Sequence, residues 1–297
     1  MTEFKGIIAP LITPFDSEER VDLDAIDRIV GRLRESGIDG LFVCGGTGEW
    51  WALTEEERIV IAERVMDSAE GQVPLMVHVG ATTSGSAVRL ARHAEQIGAA
   101  AISALPPTGF AFSADDVWRH FRLIADACRL PLYLYHFPQI YGDAIGIDRF
   151  IEEAATIPNL AGVKFSSYQI DDLVHLQNQT DGRLNILSGC AEQLLSGMIC
   201  GAAGSICTWY NLFPRLAAHL LEQLGDGDLD GARQSQKIIV FLAKSCQAKH
   251  LAICKALLTL RGIDAGVPRH PIPRVESGEA EEIANEFKTR GYWDWFL

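Results

Sequence analysis

The run Leu160-Ala161-Gly162-Val163-Lys164-Phe165 is apolar at every position but one. Consecutive apolar residues without alternation belong to a strand buried on both faces, as in parallel sheets covered by helices. Seven further short runs rich in Val, Ile, Leu and Ala are spaced along the chain, at 6–10, 40–44, 75–79, 99–104, 132–136, 184–187 and 203–207. Amphipathic stretches with helix-start signals lie between them. Asp22-Leu23-Asp24-Ala25 opens one that ends at Gly37, Thr54-Glu55-Glu56-Glu57 opens another as a capping box, and Ser113-Ala114-Asp115-Asp116 opens a third. Eight strand-then-helix units, each of about 25 residues, predict an α/β fold, a (β/α)8 TIM barrel; a doubly wound sheet has fewer strands. After Gly225-Asp226-Gly227-Asp228 the pattern is helical only, at 230–248, 251–260 and 279–290, broken by the proline-rich loop 266–273. The reading is therefore a barrel domain over 1–225 and a C-terminal helical extension over 226–297, packed on the barrel or used as an oligomer contact.

Composition narrows the function classes. The chain has 297 residues, 48% hydrophobic, with a formal net charge of -13. An acidic surface repels phosphate backbones and anionic headgroups, so nucleic acid and membrane surfaces are poor partners. The apolar runs are far shorter than the roughly 20 residues of a spanning helix. Met1-Thr2-Glu3-Phe4-Lys5 leads straight into a strand-like run without the features of a secretory signal, which predicts a cytoplasmic protein. The seven cysteines are odd in number and scattered, with no Cys-x-x-Cys, as expected of reduced core thiols. The eight histidines show no metal-ligand spacing, so no metal and no cofactor are expected.

In barrels of this kind the active site lies at the C-terminal ends of the strands. Of the seven lysines only Lys164 falls within a strand run; apart from Lys5 the others lie in the helical tail, where solvated faces are expected. A buried ammonium costs several kcal/mol unless it is paired or loses its proton, and the neutral amine is a nucleophile for carbonyl carbon. The alternative is a strand-end lysine that snorkels to water. Tyr135, near the end of Leu132-Tyr133-Leu134-Tyr135-His136-Phe137-Pro138, is a candidate general acid/base or, equally, a packing tyrosine. Cys44-Gly45-Gly46-Thr47-Gly48-Glu49 can bring backbone N–H groups and the Thr47 hydroxyl around a carboxylate, or be a tight turn and nothing more. Glu192 and Thr208 follow the seventh and eighth strands and suit substrate hydroxyls; Glu192 suits a helix N-terminus as well.

Together these segments resemble the dihydrodipicolinate synthase and N-acetylneuraminate lyase superfamily over nearly the whole chain. Gly46-Thr47-Gly48-Glu49 stands where that family has its GxTGE-type loop, Tyr135-His136-Phe137-Pro138 where it has Tyr-Asn-x-Pro, and Gly162-Val163-Lys164 where it has the Schiff-base lysine. The resemblance implies Lys164 as imine former, Tyr135 as acid/base, and Gly46 and Thr47 around the carboxylate of pyruvate or another 2-oxo acid. It leans towards the N-acetylneuraminate lyase-like branch. Lys164-Phe165-Ser166 looks like that branch's lysine neighbourhood, and the stretches holding Gly189, Glu192 and Thr208 look like its sugar-binding segments. The implied activity is a class I pyruvate-dependent lyase or aldolase on a 3-deoxy-2-oxo sugar acid, releasing an aldehyde, in a homotetramer.

The departures shape the expectation. Ile140 stands where dihydrodipicolinate synthases have a carboxylate-binding arginine, which an alkyl group cannot replace. Gly46 replaces a hydroxyl residue, Pro106-Pro107-Thr108-Gly109-Phe110 replaces a tyrosine-bearing loop, and Ala191 replaces an aspartate that holds the glycerol tail in sialic acid lyases. Trp50 and Trp51 either narrow the pocket mouth or pack the second helix. The same iminium can support dehydration of a deoxyglucarate-type sugar acid, and a non-catalytic 2-oxo-acid-binding barrel is a further alternative. A metal-dependent aldolase is disfavoured by the absence of a clustered Asp/Glu/His set in the sequence.

Overall fold

A computed structural model describes residues 3–297; Met1 and Thr2, where the amino-terminal reading begins, lie outside the described residues. Eight parallel strands close in chain order into a barrel: β1 Gly6–Pro10, β2 Gly40–Val43, β3 Leu75–His78, β4 Ala101–Ala104, β5 Leu132–His136, β6 Leu160–Phe165, β7 Asn185–Ser188 and β8 Gly204–Ile206. The ring closes where Gly6 of β1 pairs with Gly204 of β8. Each strand lies within one or two residues of its expected place. The fourth starts late because the Ala99 N–H donates to the Ala94 carbonyl of the preceding helix and so belongs to that helix's last turn.

The helices are α1 Leu23–Glu35, α2 Glu55–Ala69, α3 Ser84–Gln96, α4 Ala114–Ala125, α5 Pro138–Tyr141, α6 Ile147–Ala154, α7 Ile170–Gln179, α8 Leu194–Ile199, α9 Pro214–Gly225, α10 Leu229–Ser245, α11 His250–Leu260 and α12 Glu279–Thr289. The predicted caps are formed. Asp22 accepts from Ala25 N–H, Thr54 and Glu57 form the reciprocal capping box, and Ser113 accepts from Asp116 N–H. No described helix is long and apolar enough to cross a membrane.

Strand alternation sorts the side chains into two layers. Phe42, Met76, Tyr133, Tyr135, Leu187 and Ile206 point inward and fill the barrel. Leu41, Val77, Leu134, Val163 and Ile186 point outward and join the shell between sheet and helices. Burial on both faces is why the strands read as unbroken apolar runs. Inside, Gly162 of β6 has no room for a side chain: a Cβ there would lie 2.0 Å from the Asn185 carbonyl oxygen and 2.8 Å from the Tyr133 ring. The next inward position of β6 is Lys164.

The extension departs from expectation in two places. The stretch read as one helix over 230–248 stops at Ser245, where the Cys246 N–H turns to the Ala243 carbonyl and tightens the last turn; a short 3-10 turn, Gln247–Lys249, leads into α11. The expectation of solvated faces for the tail lysines fails at Lys255. Buried Leu251, Ala252, Ile253, Cys254, Leu257 and Leu258 carry α11 into the interior. They take Lys255 with them to full burial, where its Nζ lies 2.7 Å from Oε1 of the equally buried Glu49.

Candidate active site

Lys164 and Tyr135 are partners in the β5–β6 register, at the C-terminal ends of their strands. Both are buried. The Lys164 Nζ lies 4.0 Å from the centre of the Tyr135 ring and 4.3 Å from that of Phe42. Among the described residues no carboxylate comes within salt-bridge distance of Lys164, so only those two ring faces offset the hydration its ammonium has lost. Burial pulls its pKa down to about 7, against a weaker opposing effect of Cys207 and Cys190. Those two thiols are themselves pushed up by burial, Cys207 to about 11 and Cys190 to about 12, and stay neutral at neutral pH. An amine that is half neutral near pH 7 is poised to attack a carbonyl. Burial also raises the Tyr135 phenol above its ordinary value, opposed by the Ser166 hydroxyl beside it. The phenol therefore holds its proton and can lend it.

The loop 44–49 after β2 forms the adjoining wall. It is bracketed by Cys44 and Glu49, both non-glycine residues in the left-handed region at φ 55° and 57°. Such residues cost about 1–3 kcal/mol each and persist only where their surroundings hold them. Cys44 is held by the Nδ1–H of His78, which donates to its carbonyl at 2.9 Å. Glu49 is held by Lys255 and by the Arg269 N–H at 2.9 Å. Within the bracket, the N–H groups of Gly46 and Thr47 donate to no acceptor among the described residues. Gly46 faces the phenol: a Cβ there would meet the Tyr135 hydroxyl at 3.8 Å. The Thr47 hydroxyl meets that of Thr208, which follows β8 on the other side of β1, at 2.8 Å.

One cavity of about 610 Å³ unites these groups, and Lys164, Tyr135, Gly46, Thr47, Ser166, Gly189, Glu192 and Thr208 all line it. Gly189 sits so close to Ser166 that a Cβ would fall 1.8 Å from its Oγ, so this glycine is required for the two loops to pass. Ala191 does not line the cavity and is fully buried. The two alternatives for the tryptophans divide between them. Trp50 is nearly buried against His78, with ring centres 5.6 Å apart, and also lines the cavity; Trp51 is 47% exposed at the mouth.

Sequence reasoning did not single out several lining residues. Phe137 and Tyr168 come from the loops after β5 and β6, Tyr141 ends α5, and Gln247 and His250 come from the extension. Phe137 stands two positions beyond Tyr135, a spacing that signals a shared face. No local pattern places His250, since the docking of α11 brings it there. His78 is unmarked by any local pattern as well; it ends β3 as His136 ends β5, and among the described residues these are the two histidines on barrel strands. It lies inward and fully buried, with its pKa held well below the ordinary imidazole value by burial and by Arg58.

A model of the dihydrodipicolinate synthetase family matches residues 3–290. An N-acetylneuraminate lyase of Rhizobium meliloti is 32% identical over 281 residues, covering 93% of this chain and 92% of the relative. Among solved structures, the N-acetylneuraminate lyase of Proteus mirabilis superposes with a TM-score of 0.91 at 29% identity, covering 98% of this chain and all of that one. A prophage protein of the dihydrodipicolinic acid synthase family from E. coli K12, solved in complex with pyruvate, gives a TM-score of 0.92 at 25% identity over 97% and 99% of the two chains.

Proposed function

This chain belongs to the dihydrodipicolinate synthetase family, a family of class I aldolases and lyases, and we propose that it works as a pyruvate-dependent lyase through a Schiff base on Lys164. The observation that carries the reading is Lys164 itself, buried without a counter-ion at a strand end, shifted to about 7 and set beside a protonated phenol.

The substrate class is a 4-hydroxy-2-oxo acid, which includes the 3-deoxy-2-oxo sugar acids suggested by the names of the lyase relatives. The unbonded N–H groups of Gly46 and Thr47 receive the carboxylate, and the neutral Lys164 amine attacks the 2-oxo carbon. Loss of water gives an iminium that draws electrons from the neighbouring C3–C4 bond. Tyr135 takes the C4-hydroxyl proton and passes its own to water as that bond breaks, which frees an aldehyde and leaves an enamine on Lys164. Protonation at C3 and hydrolysis then release pyruvate. Ser166, Gly189, Glu192 and Thr208 line the far side of the carbonyl and are assigned to holding the remainder of the substrate. Ile140, lining the mouth and exposed, cannot bind a second carboxylate as an arginine would. Synthesis in the dihydrodipicolinate manner is therefore disfavoured.

The test is intact-protein mass spectrometry after incubation with pyruvate and borohydride. A reduced adduct that maps to Lys164 and is missing from Lys164→Ala is expected. No adduct under saturating pyruvate would overturn the Schiff-base reading.

A further inference from the structure

The cavity has two chemically different ends. Around Lys164 it is polar, with the Gly46 and Thr47 amides, Tyr135 and Ser166. Towards the mouth it is walled by rings from two sectors of the rim. Phe137 stacks on Tyr135 with centres 5.8 Å apart and planes at 13°, and Tyr141 meets Phe137 edge-on at 6.3 Å. From the other sector, Trp209 after β8 stands edge-on to His250 of α11 at 6.4 Å. Trp50, Trp51 and the alkyl chain of Ile140 complete the wall.

A polyhydroxylated tail brought into such a space needs a partner for every hydroxyl it withdraws from water, and each one left without a partner weakens binding. Beyond Glu192, the polar groups at the mouth are those of Thr108, Tyr141, Tyr168, Gln247 and His250, set among the rings of Trp50, Trp51, Phe137 and Trp209. The Thr208 hydroxyl is already engaged with Thr47. Position 191, next to the cavity, carries a fully buried alanine whose carbonyl is taken by Gln236 at 3.0 Å. Among the described residues Glu192 is the one carboxylate of the lining. Flat aromatic surfaces instead reward a flat apolar group, through ring–ring contacts that add to the area buried.

We infer that the mouth of this cavity selects an aromatic aldehyde as the carbon–carbon partner of pyruvate, so that the enzyme makes and cleaves 4-aryl-4-hydroxy-2-oxo acids. The inference rests on the Lys164 reading above and narrows its substrate. In the condensing direction, pyruvate loses water to Lys164 and a C3 proton to become the enamine. Its terminal carbon then bonds to the aldehyde carbon, and the carbonyl π pair moves to the aldehyde oxygen, which takes the Tyr135 proton. Water then adds to the iminium and releases the product with the free amine, while Tyr135 recovers its proton from the one shed at C3.

The two ideas separate in one set of samples. The wild-type chain is trapped with pyruvate and borohydride, and in parallel its condensation of pyruvate with benzaldehyde and with N-acetylmannosamine is followed by kcat/KM. The expected result is the Lys164 adduct together with a preference for benzaldehyde of at least about tenfold. An adduct with equal or better use of N-acetylmannosamine, or with use of neither aldehyde, overturns the aromatic assignment and leaves the Schiff base standing. Absence of the adduct overturns the Schiff base itself. In Trp51→Ala, a change at a half-exposed site, the benzaldehyde preference should shrink several-fold; an unchanged preference would remove Trp51 from the selecting wall.

Discussion

Lys164 and Lys255 are both buried lysines, and each presents its ammonium to an aromatic ring, Tyr135 at 4.0 Å and Phe15 at 4.4 Å. They differ in what else surrounds them. Lys255 has the Glu49 carboxylate at 2.7 Å and the Val267 carbonyl at 3.2 Å, whereas Lys164 has two neutral thiols and a neutral phenol. Burial lowers the pKa of both, but at Lys255 the paired Glu49 carboxylate opposes the shift. Burial alone therefore does not make a nucleophile. Under the proposed function the absence of a counter-ion at Lys164 does, while the paired Lys255 helps to fix the glycine loop through Glu49.

The contrast breaks most sharply under substitution. Lys164→Ala should lose the borohydride-trapped adduct and at least about 10⁴-fold in turnover; adduct formation at Lys255 in that variant would show that pairing does not silence a buried amine. Lys255→Met leaves Glu49 buried and unpaired, and denaturant unfolding should register a loss of about 3–5 kcal/mol. The double change Glu49→Gln with Lys255→Met should recover much of it, and a double variant as unstable as the single would mean that packing, not charge, dominates at α11.

Lys164→Met should do the opposite of Lys255→Met and stabilise the fold. The folded pKa of Lys164 lies near 7, below its ordinary 10.5, so the unfolded chain binds more protons between those values and wild-type stability rises with pH across that window. The gain from Lys164→Met should thus be on the order of a few kcal/mol below pH 7 and fade towards pH 10.5. A gain independent of pH would point to packing instead. The smallest effect is kinetic. Adduct formation should rise roughly tenfold from pH 6 to pH 8 and level off above, following the neutral fraction of Lys164. A flat profile would mean the amine is already neutral at pH 6.

The barrel was legible because its signals are local. Eight apolar runs, an Asp22 cap, a Thr54 capping box and a Ser113 cap each report on a few adjacent residues, and each is formed. Lys164 stood out for the same reason, as the one charge inside the sixth run. The pairing of Lys255 with Glu49 could not be read, since nothing near either residue marks the other. Both lie in contexts that look ordinary alone: a lysine on a tail helix and a glutamate after a glycine loop. The aromatic mouth was legible only in part. Trp50, Trp51 and Trp209 lie in segments already under suspicion, whereas His250 and Gln247 reach the cavity through the docking of the extension.

The carboxylate of Glu49 accepts from a backbone N–H 220 residues further along the chain, at Arg269. At a synthesis rate of about 5–20 residues per second, the glycine loop emerges roughly ten to forty seconds before the residue that fastens it. During that interval the strands can pair while the loop that would grip a carboxylate is still unfastened. The shape of the glycine loop is thereby tied to residues 255–269, which lie beyond all eight strands of the barrel.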